Sequence, residues 1–128
     1  MTPKDPRDRT ILVVEDADDA RLFMRLALEQ LGYVVFEAED GEQALEVAER
    51  VRPDVILMDL SLPVMDGLIA TQRIRETDGM AEVTVIAVTA HQGADFREGA
   101  KGAGFDAYVT KPIDIDSLDE LMRGLLGG

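Results

Sequence analysis

The chain has 128 residues, of which 46% are apolar and 30% charged, with a formal net charge of −13. This length and composition predict one globular domain with a hydrophobic core. The absence of Cys excludes disulfides, thiolate zinc sites and thiol catalysis. The acidic balance argues against direct nucleic-acid binding, which depends on clustered Lys and Arg. No apolar run approaches the ~20 residues of a membrane span, so we expect a cytoplasmic protein without membrane insertion.

The first predicted elements are a strand and the helix that follows it. Thr10 to Val14 is an apolar run typical of a strand. The next helix is expected to take Asp18 or Asp19 as its N-cap and to end at Gly32. Helical spacing predicts that its buried face consists of Ala20, Phe23, Met24, Ala27, Leu28 and Leu31.

The remaining elements follow in alternation. A second strand with edge character leads to a helix that Asp40 caps, with Gln43 completing a capping box. After these the sequence predicts three more strands and three helices, namely a strand at Val55–Asp59, a helix from about Asp66 to Glu76, a strand within Glu82–Thr89, a glycine-bearing helix within 93–104, a strand at Asp106–Thr110 and a last helix through Leu118 and Leu125.

Strand and helix therefore alternate five times, in lengths that fit βαβ crossovers. The pattern predicts an α/β fold, a doubly wound five-stranded parallel sheet with helices on both faces. Residues 1–9 are expected to form a disordered polar segment, and the folded domain to span residues 10–126.

Polar side chains stand at the carboxyl ends of four predicted strands, where open α/β sheets bind ligands. Glu15 and Asp16 follow the first strand, Asp59 ends the third, Thr89 ends the fourth, and Lys111 follows the fifth. Each alone is typical of a solvated loop. Three carboxylates together repel one another unless a proton or cation intervenes. Oxygen-only ligands suit a hard ion, Mg²⁺ or Mn²⁺.

This constellation indicates a carboxylate that receives a phosphoryl group. Asp59 would be the nucleophile, and the cation would cancel the repulsion between its oxygen and the incoming phosphate oxygens. Lys111 would hold one phosphoryl oxygen, and the Thr89 hydroxyl with the Ala90 N–H would hold another.

Several short segments carry these residues in one order along the chain, and they are Ile11–Asp16, Asp59–Pro63 with Met65–Gly67, Val88–Ala90 and Tyr108–Pro112. In these segments the sequence resembles the receiver domain of two-component response regulators. The resemblance extends from Thr10 to about Leu126, and it is to the single-domain type, such as the chemotaxis regulator.

The resemblance implies strand order 2-1-3-4-5, with the site between the first and third strands. Asp59 would receive the phosphoryl group from a phosphohistidine on a histidine kinase or a histidine phosphotransfer protein. Catalysis would be limited to the protein's own phosphorylation and dephosphorylation. The implied metal ligands are Asp16, Asp59 and the main-chain carbonyl of Ser61, with Glu15 acting mostly through water.

The resemblance also implies a switch that changes partner binding. Thr89 would move toward the phosphate and Tyr108 would turn inward, remodelling a face made by the helix within 93–104, the fifth strand and the last helix. A downstream protein would read that face, and the chain would be a monomer or a weak phosphorylation-dependent dimer. The Lys111–Pro112 bond is expected to be cis. An alternative for Tyr108 is a core aromatic at a strand end.

Leu22 and Leu26 lie off the expected buried face of the first helix, one turn apart and near the acidic strand ends. Single exposed Leu residues are ordinary. The alternative is a patch that docks a helical phosphotransfer partner, and the sequence favours neither interpretation.

Other functions fit less well. A phosphatase of the haloacid-dehalogenase type would need a second Asp two residues after Asp59, where Ser61 stands. A flavodoxin-like FMN carrier would need a phosphate loop at residues 15–19, which are mostly acidic and would repel phosphate. A receiver-shaped interaction module with an inactive site is the remaining alternative.

Overall fold

The computed structural model describes four stretches of the chain, residues 9–60, 67–77, 79–89 and 104–126. The elements in them are β1 (Thr10–Val14), α1 (Asp18–Gln30), β2 (Val34–Ala38), α2 (Gly41–Val51), β3 (Val55–Asp59), α3 (Gly67–Glu76), β4 (Thr84–Thr89), β5 (Ala107–Thr110) and α4 (Ile115–Leu125). Outside these stretches lie residues 1–8 of the predicted polar segment, Ser61, Ala90, and residues 93–103 of the helix predicted within 93–104. Within them, no helix is long and apolar enough to cross a bilayer.

The five strands form one parallel sheet in the order β2-β1-β3-β4-β5, which confirms the predicted fold and strand order. The apolar runs of β1, β3 and β4 are buried along almost their whole length. Because these strands are central and covered by helices on both faces, both sets of alternating side chains must be apolar. Strand β2 lies at one edge, as expected, and β5 lies at the other.

Two hydrophobic clusters cover the two faces of the sheet. On one face Leu12 and Ile56 belong to a cluster with Ala48 of α2 and Ile74 of α3. On the other, the neighbouring strand residues pack with α1 and α4, in a cluster that includes Ile11, Leu57, Leu28 and Met122. This division follows from the alternation of side chains along a strand. Both clusters hold the central strands from which the polar residues at their ends project.

At the starts of β3 and β5, an aspartate makes two hydrogen bonds to the neighbouring strand, in the same pattern at both places. The N–H of Asp54 donates to the Thr10 carbonyl, and the Asp54 carboxylate accepts from the Thr10 N–H, both at 2.8 Å. Asp106 exchanges the same two bonds with Val85, again at 2.8 Å. Each aspartate therefore continues the hydrogen-bond ladder one residue before its own strand begins, and we call these two pairs the aspartate clamps.

Arg75 of α3 binds Asp106 of the second aspartate clamp and several main-chain carbonyls around it. Its Nη2 lies 2.9 Å from the Asp106 carboxylate and 2.6 Å from the carbonyl oxygen of Gly104. The same guanidinium donates to the carbonyls of Ala81 and Val83, which precede β4. One side chain thus joins the end of α3 to the segments that lead into β4 and β5.

Helix α1 differs from the prediction at its start. Its N-cap is Ala17, which makes no side-chain cap bond, and Asp18 is the first helical residue, so the predicted cap at Asp18 or Asp19 is wrong. The Asp18 carboxylate instead accepts a 2.6 Å hydrogen bond from Arg21, one turn along the helix. An acidic residue in the first turn still interacts favourably with the helix dipole, which explains why it resembled a cap.

The buried face of α1 also differs from the prediction. Met24 and Leu28 are buried, as expected, but Phe23 is 61% exposed, so its assignment to this face is wrong. The face that meets the sheet is centred on Met24 and Leu28, and Phe23 lies more than a quarter of a turn from Met24. The helix therefore turns a large aromatic side chain toward solvent.

Candidate functional site

Three carboxylates meet at the carboxyl ends of β1 and β3. One oxygen from each of Glu15, Asp16 and Asp59 lies within 4.8 Å of the other two. The topology produces this meeting, because β1 and β3 are neighbours and run parallel. Glu15 is 7% exposed and Asp59 4% exposed, whereas Asp16 faces solvent. The structure thus brings together the three acidic residues that the sequence selected.

Lys111 supplies a positive charge to the two buried carboxylates. Its Nζ lies 2.9 Å from Glu15 Oε1 and 3.2 Å from Asp59 Oδ2. The residue directly follows β5, and its peptide bond to Pro112 is cis, as predicted. One ammonium offsets only part of the charge of three carboxylates. The cluster therefore keeps a negative charge that favours a further cation.

Burial and charge shift the protonation of this cluster. Burial, followed by the contact with Asp59, raises the pKa of Glu15, although Lys111 acts in the opposite direction. Burial also works against the charge on Lys111, but Glu15 and Asp59 outweigh it and raise the pKa of its ammonium. The site thus stabilises the charged form of Lys111 and destabilises the ionised form of Glu15.

The donor set of the acidic cluster fits a hard divalent cation. Glu15, Asp16 and Asp59 offer carboxylate oxygens within one 4.8 Å grouping. Mg²⁺ prefers a few carboxylates and keeps several of its waters. The exposed position of Asp16 leaves one side of the cluster open to those waters.

Thr89 and Lys111 stand side by side at the same rim of the sheet. Thr89 is the last residue of β4 and is 2% exposed. Its carbonyl accepts a 2.8 Å hydrogen bond from the Lys111 N–H, which continues the pairing of β4 with β5. The predicted phosphoryl-binding residues of these two strands are therefore adjacent, next to the strand that ends on Asp59.

Tyr108 of β5 is partly buried and packs against the cluster on the α2 and α3 face. A groove of about 500 Å³ lies at β5 and α4, with Tyr108, Ile113, Ser117 and Leu121 among its lining residues. This position agrees with a core aromatic, and it also places Tyr108 beside a groove that a change of its side chain would alter.

Leu22 and Leu26 are 43% and 49% exposed, as their positions off the buried face predicted. Phe23, exposed beside them, extends the pair into an apolar strip on α1. We use the name apolar strip for Leu22, Phe23 and Leu26. The strip begins one turn after the start of the helix that follows Glu15 and Asp16.

Sequence reasoning missed one residue at this site, Arg21. Its Nη1 donates a 2.8 Å hydrogen bond to the main-chain carbonyl of Glu15. A main-chain acceptor has no side-chain identity to detect. The only signal in the sequence was the three-residue spacing from Asp18 to Arg21, which suits an ion pair on one helix face.

Comparison with known proteins gives one family. The family model of the response regulator receiver domain matches residues 11–123. The polar-differentiation response regulator DivK of Brucella anthropi is 34% identical over 119 residues, which make up 93% of this chain and 97% of DivK.

Solved structures of related proteins agree with this result. The receiver domain of sensor histidine kinase PA1611 from Pseudomonas aeruginosa, which has a magnesium ion coordinated in its active-site cleft, superposes with a TM-score of 0.87 at 38% identity. That comparison covers 94% of this chain and 99% of the other. The chemotaxis protein CheY4 of Vibrio cholerae gives a TM-score of 0.88 at 25% identity, over 92% and 98% of the two chains.

Proposed function

The chain belongs to the family of response regulator receiver domains, which are phosphorylation-controlled signalling switches, and from that premise we propose that Asp59 is its phosphoacceptor. One observation carries the proposal. Asp59 is a buried carboxylate at the end of β3, 3.2 Å from the Lys111 ammonium and grouped with the oxygens of Glu15 and Asp16. A nucleophilic carboxylate, the ammonium of Lys111 and a set of oxygen ligands suited to a hard metal ion thus lie together.

The residues that would hold a Mg²⁺ ion are Glu15, Asp16 and Asp59, with the main-chain carbonyl of Ser61 as a further ligand. Mn²⁺ would suit the same oxygens. When bound, the ion neutralises charge between the Asp59 oxygen and the phosphoryl oxygens that approach it. Glu15 would act on the ion mostly through water, as the family resemblance implies, while its Oε1 stays 2.9 Å from the Lys111 ammonium.

In the proposed reaction an Asp59 oxygen attacks the phosphorus of a phosphohistidine on a histidine kinase or a histidine phosphotransfer protein. The O–P bond forms as the P–N bond breaks, and the released imidazole takes up a proton. Lys111 moves its ammonium from the Asp59 carboxylate to a phosphoryl oxygen, while the Thr89 hydroxyl and the Ala90 N–H bind another. Hydrolysis of the acyl phosphate resets the switch, and we assign the chain no other enzymatic activity.

The proposed output is a change in partner binding. Thr89 responds to the phosphoryl group at the end of β4, and Tyr108, on the neighbouring strand, changes the groove between β5 and α4. A downstream protein would bind there, with the chain acting as a monomer or a weak phosphorylation-dependent dimer. We place the protein in the cytoplasm, because a phosphohistidine donor is made from ATP.

The experiment that tests this function is phosphorylation of the intact chain by acetyl phosphate. With Mg²⁺ present, we expect intact mass to show one added phosphoryl group, and peptide mapping to locate it on Asp59. With EDTA in place of Mg²⁺, the addition should fall to background, because the carboxylates then repel the donor. Treatment with hydroxylamine should remove the group, as it does from an acyl phosphate. Labelling that resists hydroxylamine or maps to a serine or threonine would contradict the proposal.

We also propose that the apolar strip docks the phosphohistidine-bearing partner. Leu22, Phe23 and Leu26 are exposed on one helix that begins beside the acidic cluster. A partner seated on them would bring a phosphohistidine close to Asp59 while burying apolar surface on both proteins.

Exchanging Leu22 and Leu26 for Ser together should slow transfer from a phosphorylated histidine phosphotransfer protein by about tenfold or more, a loss typical of buried interface anchors. Labelling by acetyl phosphate should not change, because that donor needs no docking surface. Val34→Ser is the matched control, since Val34 is also exposed but begins β2 at the far end of the sheet. Equal losses with both donors would mean that the double variant damages the site, and the docking role would be rejected.

A further inference from the structure

We propose that Arg21 is a positioning residue for the cation site, because its guanidinium holds the peptide that joins the two acidic residues Glu15 and Asp16. The inference rests on the proposed function of that site. Arg21 itself contacts neither Asp59 nor an incoming phosphoryl group in this assignment. It acts through the main chain of the turn between β1 and α1.

The guanidinium of Arg21 makes two hydrogen bonds and one further ion pair, each with a different oxygen. Its Nη1 lies 2.8 Å from the carbonyl oxygen of Glu15, and its Nη2 lies 2.6 Å from Asp18 Oδ1. Its Nε lies 3.4 Å from the carboxylate of Glu37 on the edge strand β2. The side chain is only 12% exposed. A planar fork held at three points has little freedom, so the carbonyl it binds is held in one orientation.

The carbonyl of Glu15 matters because it belongs to the Glu15–Asp16 peptide. Asp16 is exposed on the turn, so packing does not hold its side chain, and the main chain that carries it sets the position from which its carboxylate reaches the site. The main chain on either side of this peptide is also hydrogen-bonded, since the Glu15 N–H donates to the Ala38 carbonyl and the Ala17 N–H to the Glu15 carboxylate. Arg21 adds the hydrogen bond to the Glu15–Asp16 peptide itself. Groups that orient a metal ligand in this way usually affect metal affinity strongly.

Charge alone would have the opposite effect. A cation near the site repels Mg²⁺, so the loss of the Arg21 charge should, by electrostatics alone, strengthen Mg²⁺ binding. Much of this repulsion is already offset, because Asp18 and Glu37 both contact the guanidinium. Positioning and charge therefore predict effects of opposite sign on Mg²⁺ affinity, which makes the two roles easy to separate.

The test compares Arg21→Met, Arg21→Lys and Arg25→Met with the wild-type chain, with Mg²⁺ binding measured by isothermal titration calorimetry. Arg25 is the matched control, because it lies one turn further along α1 and pairs with the same Glu37 at 3.5 Å. We expect Arg21→Met to weaken Mg²⁺ binding by about tenfold. Arg21→Lys keeps the charge but not the fork, so its affinity should also be reduced, although less. Arg25→Met should stay within about twofold of wild type, since its charge is distant and screened.

Urea unfolding in EDTA identifies the folded variants, and the titrations use only those; if Arg21→Met does not fold, Arg21→Lys decides. Unchanged affinity in the folded Arg21 variants, even with reduced stability, would make Arg21 a purely structural residue and overturn the proposal. Tighter Mg²⁺ binding by Arg21→Met would overturn it in favour of a charge effect. In either case wild type still binds Mg²⁺ and the proposed function stands. A wild-type chain that binds no Mg²⁺ would refute the cation site itself.

Discussion

Replacing Asp59 by Asn is expected to abolish phosphorylation by acetyl phosphate and to stabilise the metal-free fold by about 1 kcal/mol. The loss of labelling follows from chemistry, because a carboxamide is a far weaker nucleophile than a carboxylate. The gain in stability follows from geometry. Folding brings the Asp59 carboxylate to the buried Glu15 and to Asp16, which the unfolded chain keeps apart. Such sites lower stability in exchange for function.

The stability gain should depend on pH. Burial, and then Asp59, raise the pKa of Glu15 above its ordinary value of 4.5. A group with a raised pKa in the folded state favours folding below its unfolded pKa, and this contribution is lost as the pH rises through its folded pKa. Asp59→Asn removes one cause of the raised value. Its advantage should therefore be full above the folded pKa of Glu15 and should shrink as the pH falls toward 4.5.

Urea unfolding followed by circular dichroism suits this measurement, because the chain contains no Trp. The matched control is Asp54→Asn at the opposite ends of the strands, where the amide oxygen can still accept the Thr10 N–H that Asp54 binds at 2.8 Å. It should neither gain stability nor lose labelling. Undiminished labelling of the Asp59 variant would refute the phosphoacceptor, and a lower urea midpoint in EDTA would refute the repulsion between the carboxylates.

Arg75→Met is expected to lower the free energy of unfolding by about 3 kcal/mol. The variant removes the ion pair with Asp106 and the hydrogen bonds to the carbonyls of Gly104, Ala81 and Val83. Bonds from a charged donor contribute more than neutral ones, and here one side chain supplies all of them. The second aspartate clamp would also lose the group that fixes its carboxylate.

The control for this prediction lies on the same helix. Arg73 is exposed, so Arg73→Met removes an equal charge and should change stability by no more than about 0.5 kcal/mol. Urea unfolding of both variants gives the comparison. Equal midpoints for the two variants would show that the contacts of Arg75 contribute little, and that solvent replaces them in the variant.

The fold was largely predictable because its strongest signals are local in the sequence. Strands buried on both faces are continuous apolar runs, as in Val55–Met58. The cap of α2 is equally local, since Asp40 accepts from the Gln43 N–H at 2.8 Å, as predicted. The meeting of Glu15, Asp59 and Lys111 followed from a general property of parallel sheets, in which the carboxyl ends of the strands share one rim.

What the sequence did not reveal depends on contacts between distant parts of the chain. Helix α1 carries apolar residues around much of its circumference, so periodicity could not decide that Phe23 faces solvent while Met24 faces the sheet. Arg75 binds several main-chain carbonyls, and Arg21 binds the main-chain carbonyl of Glu15. Every residue has such a carbonyl, so nothing in the sequence marks the one that is bound. Their roles appear only when the fold has brought a particular carbonyl within reach.

The two aspartate clamps stand at the starts of β3 and β5, while the acidic cluster and Lys111 stand at the other ends of the strands. In evolution, the residues that serve signalling and the residues that serve folding can therefore change independently, because they lie at opposite ends of the strands. A lineage can vary the loops at the reactive rim, and so adjust signal lifetime or partner choice, without touching the bonds that register the sheet. Substitutions that remove the accepting side-chain oxygen of Asp54 or Asp106, in contrast, would be selected against for folding alone, whatever signal the protein carried.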